Sequence, residues 1–355
     1  ISIMVGVGKA AEFGTLSRNG DALQQAGKLT TIVLDKTGTV TEGRPSVTEV
    51  IPADGFDEEE ILTYALSIES SSEHPLAQAI VDHAKAKGYK KKLLSAFQAV
   101  PGQGIEAVVE GHTIRIGNTR LMMERGIDGG WLGRKAAELT QEAQTPMFIS
   151  VDKEIGGIVS VADAIKEDSS AAIERMHQAG LKVVLLTGDN ENTAQAVARK
   201  VGIDEVMAEV LPEEKEAKVA ELQARGEVVG MVGDGINDAP ALARADVGFA
   251  IGTGTDVAIE SADITLMRGS LHGVVDAIDI SKATVRNIKQ NLFGAFIYNT
   301  LGIPVAAGVL YPFIGMLLNP MIAGAAMAMS SVTVVSNANR LRWFKPQGKE
   351  RAQKG

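Results

Sequence analysis

The chain of 355 residues is longer than the ~100–200 residues of one typical domain, so we expect at least two folded units. Its 35 basic and 44 acidic residues give a net charge of -9 without a long basic stripe, which argues against nucleic acid as a partner. The sequence has no cysteine, so these residues can form neither a disulfide framework nor a Cys-based metal site.

The first residues, Ile1 to Val7, form an apolar stretch that is too short to cross a bilayer. The stretch lacks the basic leader and the cleavage site of a signal peptide. We therefore expect this sequence to be part of a longer protein.

Four segments share one pattern, an apolar run followed by a polar or Gly-containing turn. Such runs are typical of buried parallel strands. They are Thr30 to Leu34, Lys182 to Leu186, Val228 to Val232 and Asp246 to Ile251.

Helical patterns lie between several of these strands, at Glu167 to Gln178, Asn192 to Lys200 and Pro212 to Ala224. The last opens with Pro and acidic residues, as helices often do. Alternating strands and helices predict a doubly wound α/β domain, whose ligands bind beyond the carboxyl ends of the strands. Polar residues predicted at such ends are Asp35, Thr187, Asp189, Asp234 and Asp238.

The stretch from about Ser46 to Val161 interrupts this core. It contains a helical piece around Glu58 to Lys87. Probable strands follow at Ile105 to Val109, His112 to Ile116 and Met147 to Val151. A second α+β domain inserted after the first strand is the economical interpretation.

No charged residue and no histidine occurs from Gln290 to Asn339. This length suits two membrane spans of ~20 residues each, with a turn near Tyr311, Pro312 and Gly315. Basic residues flank the pair on both sides, which by the positive-inside rule places both flanks in the cytoplasm. They are Lys282, Arg286 and Lys289 before it and Arg340, Arg342 and Lys345 after it.

Asp35 to Thr39 follows the first strand, so the Asp35 carboxylate is placed at a strand end where a phosphate could meet it. That is the position of a nucleophile. An Asp that merely begins a turn would give the same local pattern.

Three further segments decide between these alternatives. Gly233 to Asp238 offers two carboxylates and an Asn in a Gly-rich turn, which suits Mg²⁺. Thr187 to Asp189 supplies a hydroxyl and backbone amides for phosphate oxygens. Lys215, in the first turn of a helix, could neutralise charge on a phosphoryl group in transfer.

With these motifs the chain resembles the P-type ATPase branch of the haloacid dehalogenase-like hydrolases, over nearly its whole length. The resemblance implies that Asp35 is phosphorylated by ATP. Thr37 and Asp234 would help to hold Mg²⁺ with Asp35, and Thr187, Gly188 and Lys215 would contact the phosphoryl group. It also implies catalytic roles for Lys36, Asp189, Asn237 and Asp238 and makes Asp163 to Lys166 the hinge that returns from the insert.

The second residue after the predicted nucleophile is Thr37, whereas phosphatases of this superfamily have an Asp there as general acid and base. Without that Asp the aspartyl phosphate should hydrolyse slowly, which suits a pump intermediate that waits for a conformational change. A membrane-tethered phosphatase is the rival enzyme. A non-catalytic nucleotide-binding regulator is disfavoured because Asp35, Lys215 and Asp234 are all present.

The insert resembles the nucleotide-binding domain of the heavy-metal pumps at Ser72 to Pro75 and Gly102 to Gly104. A helix start before Pro75 and an ordinary glycine turn are the plainer interpretations. By the resemblance, the ATP contacts are Glu69, His74, Gly102, Gly104 and Asn118.

Two glycine-containing segments are not counted as nucleotide sites. Gly6 to Lys9 lacks the Ser or Thr that ends a P-loop. Gly252 to Gly254 lacks a third glycine in register.

Polar and thioether side chains in the predicted spans resemble the metal path of copper(I)-exporting pumps. Such residues can also act as packing contacts between helices, and Met329 fits that interpretation better than Met327. A thioether suits Cu⁺, whereas zinc- and cadmium-exporting relatives carry charged residues in the last span. Silver is not separated from copper. The path residues would be Tyr298, Asn299, Met327, Ser330 and Ser331, with Asn291 and Pro304 in the same pattern.

The resemblance also implies how the chain is divided into domains and membrane segments. Residues 1–27 would be the end of a transmembrane helix and a linker, 28–44 with 162–271 the phosphorylation domain, and 45–161 the nucleotide-binding domain. Residues 272–289 would be a linker helix, 290–339 the membrane hairpin and 340–355 a cytoplasmic tail.

The Cys-x-Cys and Thr-Gly-Glu motifs of a complete pump are absent from this sequence. The expected partners are therefore the upstream pump domains, together with membrane lipid, ATP and copper(I), which a cytosolic carrier would deliver. The expected location is a bacterial inner membrane with cytoplasmic catalytic domains.

Overall fold

The computed structural model describes residues 1–72, 75–252, 254–309, 311–315 and 319–347. Its strands form two separate sheets. In chain order they are β1 (Thr15–Ser17), β2 (Thr31–Asp35), β3 (Ser46–Pro52), β4 (Leu94–Val100), β5 (Gly104–Val109), β6 (His112–Gly117), β7 (Thr145–Val151), β8 (Glu154–Ala162), β9 (Lys182–Leu186), β10 (Glu205–Met207), β11 (Val229–Gly233), β12 (Val247–Ile251) and β13 (Ile264–Leu266).

Helices lie between most of the strands and make up the C-terminal part of the described chain. They are α1 (Ser2–Glu12), α2 (Gly20–Ala26), α3 (Glu58–Glu69), α4 (Pro75–Ala86), α5 (Thr119–Glu124), α6 (Gly130–Gln141), α7 (Ser169–Gln178), α8 (Glu191–Val201), α9 (Lys215–Ala224), α10 (Ala239–Arg244), α11 (Asp256–Ser261), α12 (His272–Ala306), α13 (Tyr311–Ile314) and α14 (Pro320–Asn339).

The first sheet has seven strands in the order β1-β13-β12-β11-β2-β9-β10. Its described pairings are parallel except for β1 with β13. The four predicted strands are β2, β9, β11 and β12, and all residues of β2, β11 and β12 are buried. Runs of apolar residues buried on both faces are what a parallel sheet covered by helices requires. The predicted α/β class is therefore confirmed.

The second sheet is antiparallel, in the order β3-β8-β7-β6-β5-β4. Helices α3 and α4 contribute Ile61, Leu66 and Ile80 to a core with β6 residues Ile114 and Ile116. A second cluster joins α5 and α6 to β7 and β8. The insert therefore has its own α+β core.

Within the insert, the segment around Glu58 to Lys87 is helical, as predicted, but it is divided. The structure has two helices there, α3 and α4. Pro75 is the first residue of α4, where proline's missing N–H and fixed φ favour a helix start. The strands β3, β4 and β8 were not predicted.

The C-terminal part contains α12, which continues without a break from His272 to Ala306. The predicted boundary at residue 290 between linker and membrane segment therefore does not interrupt the helix. Beyond it, the proposed turn contains α13 and Gly315, whose φ is +65°, while residues 310 and 316–318 are outside the described part.

Among the described residues, one helical stretch, Met321–Trp343, is long and apolar enough to cross a membrane. Large apolar side chains on the uncharged half of α12 are also exposed, with Phe293 at 68% and Phe296 at 66%. Continuous apolar exposure of this kind marks a surface that a membrane or other protein covers.

A network of amide side chains joins α1, α12 and α14. The Asn291 Nδ2 group donates to Ser2 Oγ at 2.9 Å, and Ser2 Oγ donates to Asn287 Oδ1 at 2.9 Å. From α14, Asn337 donates to Asn291 Oδ1 at 2.9 Å, and its carbonyl oxygen accepts from Asn287 Nδ2 at 2.8 Å. Because the partners satisfy one another, these polar groups can be buried without an unpaired donor.

Helix α1 approaches α12 closely at Gly6. A Cβ placed on Gly6 would meet the Thr284 hydroxyl and lie 2.9 Å from Thr284 Cγ2, whereas a Cβ on Gly8 would meet nothing within 4 Å. Thr284 is 1% exposed and β-branched, so it cannot easily move away.

We expect Gly6→Ala to lower the free energy of unfolding by about 1–3 kcal/mol through overpacking. Gly8→Ala is the matched control in the same helix, and should be neutral or stabilise by up to about 1 kcal/mol through helix propensity. Urea unfolding in detergent, followed by circular dichroism, compares the two. Equal effects of both substitutions would contradict the close approach at Gly6.

Candidate active site

The order of the first sheet places its topological switch point between β2 and β11. The next strand of this sheet in chain order, β9, lies on one side of β2, and β11 pairs with β2 on the other. The parallel register aligns Leu34 with Val232, so both strands end at the same edge. Asp35 is the last residue of β2, and Asp234 directly follows β11. In open α/β sheets ligands bind in the crevice at such a point.

Asp35 is 6% exposed and opens a tight loop that runs from Lys36 to Val40. Gly38 in this loop has φ +75°, a conformation that favours glycine. Its carbonyl oxygen accepts a hydrogen bond from Lys166 Nζ at 2.7 Å. Thr37 is exposed at the outer side of the loop.

Lys36 forms an ion pair with Asp189, with 2.5 Å between Nζ and Oδ2. Asp189 also donates its backbone N–H to the Thr187 hydroxyl at 3.1 Å. Thr187 is 3% exposed and Gly188 is exposed at the surface, beyond the end of β9. The structure therefore brings Lys36, Thr187 and Asp189 together.

The two connections to the insert form a short antiparallel ladder. Thr41 pairs with Ile165, and Lys166 donates its backbone N–H to Val40 O at 3.0 Å. The Asp163 carboxylate accepts the Thr41 hydroxyl at 2.5 Å and the backbone N–H of Gly43 at 3.1 Å.

From the sequence, this segment is predicted only as a hinge. The contact of Lys166 with the Asp35 loop and the hydrogen bond that the Ser169 hydroxyl donates to Val40 O at 2.8 Å were not predicted. The mostly polar run that follows β8, from Asp163 to Ser169, is the pattern in the sequence that could have indicated these contacts.

Lys215, at the start of α9, forms a buried ion pair with Asp238, with 2.7 Å between Nζ and Oδ1. Their side chains are 11% and 2% exposed. The other carboxylate oxygen accepts the backbone N–H groups of Asp234 and Gly235 at 3.2 and 3.1 Å. A buried charge is tolerated when it is paired and hydrogen-bonded in this way.

Carboxylate oxygens of Asp234 and Asp238 lie within 4.8 Å of one another. Asp234 is half-buried, and Asn237 between them is exposed. Gly233 must be a glycine, because a Cβ there would lie 2.7 Å from the Asp238 carboxylate. Hard oxygen donors of this kind fit Mg²⁺, which typically takes one or two protein carboxylates.

In the insert, Gly102, Gly104 and Asn118 lie together at the end of the β4–β5 turn. Asn118 Nδ2 donates to Gly102 O at 3.0 Å, and Asn118 Oδ1 caps α5 by accepting Leu121 N–H at 3.1 Å. A Cβ on Gly104 would lie 2.6 Å from Gly117 Cα. Both polar atoms of the Asn118 amide are thus engaged in holding this turn.

Glu69 ends α3 and is 6% exposed. Burial raises the pKa of its carboxyl group from the ordinary value of 4.5 to about 7. Among the described residues the carboxylate has no ion pair or hydrogen bond that would offset this desolvation. Its predicted neighbour His74 lies outside the described residues.

The residues of the predicted metal path lie on α12 and α14. Tyr298 and Ser330 line one groove of about 690 Å³ together with Asn291 and Asn337. Met327 is 72% exposed.

Two of the predicted path residues bond within their own helices. Asn299 donates to Ala295 O at 3.0 Å, and Ser331 donates to Met327 O at 3.3 Å. The structure therefore brings Tyr298 and Ser330 to one groove and leaves Asn299 and Ser331 with intrahelical partners.

Residues 29–246 match the haloacid dehalogenase-like hydrolase family. The chain is 52% identical over 347 residues to a probable copper-transporting ATPase, PacS, of Synechococcus elongatus, covering 98% of this chain and 46% of that protein. It is 51% identical over 344 residues to a copper-exporting P-type ATPase of Bacillus subtilis, covering 97% and 42%. The chain thus spans less than half the length of these relatives.

Among solved structures, a zinc-transporting PIB-type ATPase in its E2.Pi state superposes with a TM-score of 0.75 at 36% identity, covering 96% of this chain and 54% of that chain. The catalytic domain CopB-B of a CPx-ATPase gives a TM-score of 0.54 at 28% identity, covering 78% and 96%. The chain belongs to the haloacid dehalogenase-like hydrolases, in their P-type ATPase branch.

Proposed function

We propose that the chain is the catalytic part and C-terminal membrane segment of a pump that uses ATP to export copper(I), with Asp35 as the phosphorylated residue. The observation that carries the proposal is the pairing of β2 with β11 at the switch point. This pairing puts a buried carboxylate at one strand end and the Asp234 to Asp238 turn at the next.

In the proposed reaction an Asp35 carboxylate oxygen attacks the γ-phosphorus of ATP. A new O–P bond forms, the bond between the γ-phosphorus and the bridging oxygen breaks, and ADP leaves with the electron pair. Thr187 and Gly188 are suited to contact the phosphoryl oxygens, since the hydroxyl and the backbone N–H lie beyond the end of β9.

Lys215 would neutralise part of the charge that builds on the phosphoryl group. Its pairing with Asp238 supports this role, because the ion pair fixes the ammonium group in a buried position. Lys36 would be held in the same way by Asp189. Asn237, exposed in the same turn, would contact the phosphate end of ATP or its bound ion.

Asp35, Thr37 and Asp234 would hold Mg²⁺, and the oxygen donors around Asp234 fit this ion. Bound Mg²⁺ would screen the negative charge of the phosphates and the nucleophile. Thr37 stands where a phosphatase has its general acid and base, so the acyl phosphate would persist long enough for a conformational change.

The insert would deliver ATP, with contacts from Glu69, His74, Gly102 and Gly104. Asn118 would act by holding the glycine turn, since its amide is already bonded to Gly102 O. A neutral Glu69 carboxyl group can donate a hydrogen bond, which is the form that its raised pKa favours below pH 7.

Copper(I) as cargo is supported by the names of the relatives and by a thioether donor in α14. Met327 is exposed on the helix and, as a soft ligand, suits Cu⁺ better than a hard dication. Tyr298, Asn299, Ser330 and Ser331 would line the same path between two spans, residues 290–309 and α14. Silver(I) has the same preference for soft ligands and is the alternative cargo.

The proposed setting is a bacterial inner membrane with the two sheets in the cytoplasm. Upstream pump segments and a cytosolic copper carrier would be the partners.

We expect incubation with γ-labelled ATP and Mg²⁺ to place label on the chain, with release by hydroxylamine, because an acyl phosphate is cleaved by this nucleophile. Asp35→Asn should reduce labelling to background, since an amide is a poor nucleophile. Asp21→Asn, an exposed residue of α2, is the control and should label normally. Undiminished labelling of Asp35→Asn would contradict the assignment.

Glu69→Gln should change how the unfolding free energy depends on pH. The pKa of Glu69 is higher in the folded chain than in the unfolded chain. Its contribution to the free energy of unfolding is therefore fully present below about pH 4.5 and is lost as pH rises through 7. At pH 8 we expect Glu69→Gln to be more stable than wild type by about 3 kcal/mol, and at pH 4.5 nearly equal to it.

Urea unfolding in a Trp343→Phe background, followed by the fluorescence of Trp131, measures this difference. Glu59→Gln, at an exposed position in the first turn of the same helix, should shift stability little at either pH. A difference between Glu69→Gln and wild type that did not change with pH would contradict the raised pKa.

Met327→Ala should lower copper(I)-stimulated ATP hydrolysis severalfold in a full-length pump that carries this chain, because a soft ligand is lost. Met329→Ala is the matched control and should have a weaker effect. Measurement with copper, silver and zinc tests the cargo directly. Zinc stimulation equal to that of copper would contradict the copper assignment.

A further inference from the structure

A cavity of about 350 Å³ lies between α7, α12 and the residues that follow α14. Its volume is at the lower end of the range for small-molecule sites, about 300–1,000 Å³. Its lining has three cationic side chains, one carboxylate and an aromatic ring, and includes a residue of the C-terminal tail. The lining includes Arg175, Asp279, Lys282, Arg286, Phe344 and Gln347.

One wall of this cavity is held by hydrogen bonds. Arg175 pairs with Asp276 at 3.0 Å and donates to Gln347 O at 2.7 Å. The Gln347 backbone N–H in turn donates to Asp279 Oδ2 at 3.1 Å. Burial raises the pKa of Asp279, which weakens its repulsion of an anion.

The other wall carries two cations, Lys282 and Arg286, one helical turn apart on α12. Both are exposed. In the part of the chain that the structure describes, neither has an ion pair or a hydrogen bond from its side chain. Asp279, three residues before Lys282, is the acidic group in the lining, but in the described part of the chain it forms no ion pair with either cation, so both are suited to a phosphate group.

The position of these cations along α12 identifies the source of the phosphate. The uncharged segment begins at Gln290, so at 1.5 Å per residue Arg286 lies about 6 Å and Lys282 about 12 Å from it. The headgroup layer on each side of a bilayer is about 5–8 Å thick. Lys and Arg reach further by extending their stems.

Trp343 lies in the turn that directly follows α14. It is 79% exposed and adjoins Phe344, which lines the cavity. An exposed Trp at the end of an apolar helix is typical of the membrane interface.

We propose that this cavity binds the phosphate headgroup of an anionic membrane lipid, with Lys282 and Arg286 as the direct contacts. The proposal rests on membrane insertion of the proposed pump segment, but not on its ATP or copper chemistry. The bound headgroup would bridge α12 to the tail at Gln347 and so link the phosphorylation domain to the bilayer surface.

The test uses the whole chain with Trp131→Phe, which leaves Trp343 as the reporter, since the sequence has two tryptophans. The protein is reconstituted in phosphatidylcholine vesicles that contain brominated phosphatidylcholine or brominated phosphatidylglycerol. Quenching of Trp343 fluorescence then gives the relative association constant of the two lipids. We expect a preference of at least about fivefold for phosphatidylglycerol, the factor for roughly one basic side chain at an anionic surface.

The double variant Lys282→Gln/Arg286→Gln should lose this preference. The exchange Lys282→Arg/Arg286→Lys should retain it within about twofold, since both charges remain. The matched control, Lys289→Gln/Lys345→Gln, removes the same charge outside the cavity. Lys289 adjoins Gln290, where the uncharged segment begins. If attraction to the membrane surface were only diffuse, the control would therefore lose at least as much of the preference for phosphatidylglycerol as the cavity variant.

A loss in the control equal to or larger than that in the cavity variant would overturn the proposal, as would no preference for phosphatidylglycerol. Titration with inorganic phosphate at constant ionic strength tests a soluble source. If phosphate abolishes the preference, the cavity is a soluble-anion site and the lipid assignment is wrong. If brominated phosphatidylcholine does not quench Trp343, membrane insertion of this segment is wrong as well. This outcome distinguishes a failure of the proposed membrane segment from a failure of the lipid site alone.

Discussion

The parallel hydrogen bonds between β2 and β11 are the constraint on which the proposed chemistry depends. They set the register that aligns Leu34 with Val232, and the chain then leaves both strands at the same edge. Neighbouring connections run in opposite directions at this point, so the backbone opens a crevice rather than covering it. A one-residue slip would turn every side chain of β2 to the other face and move Asp35 away from the edge.

Burial of charge at this edge is possible because each charged group has a partner. Lys215 is paired with Asp238, and the same carboxylate accepts two backbone N–H groups. Removing one member of a buried pair typically costs about 3–5 kcal/mol, because the other charge is left without compensation. The ion pairs therefore hold the side chains in place, while the apolar strands behind them supply most of the stability of the sheet.

On the membrane side, α12 is the element that connects the first sheet to the apolar segment. One face of its N-terminal half is buried, and its uncharged half exposes large apolar side chains. The amide network around Asn291 ties α1 and α14 to it between these halves. A continuous helix with fixed neighbours can transmit a displacement along its axis, as the proposed pump function would require.

The sequence by itself determined the fold class, the inserted domain and the positions of Asp35, Thr187 and Asp234 at strand ends. These features follow from apolar runs and the turns after them, which are local patterns. Several strands were not predicted from the sequence: β4 is mostly exposed and carries no alternation, and β1 and β13 have three residues each, but the long and mostly buried β8 was missed as well. The roles of the site residues stay predictions.

Only the tertiary structure decided properties that depend on distant neighbours. The pKa of Glu69 is set by the helices and strands that bury it, and the bonds of Asn118 are set by a turn sixteen residues earlier in the chain. Lys166 contacts the Asp35 loop only because the insert returns antiparallel to its own beginning. The cation-lined cavity needs α7, α12 and the tail together, and no local pattern in the sequence records that these segments meet.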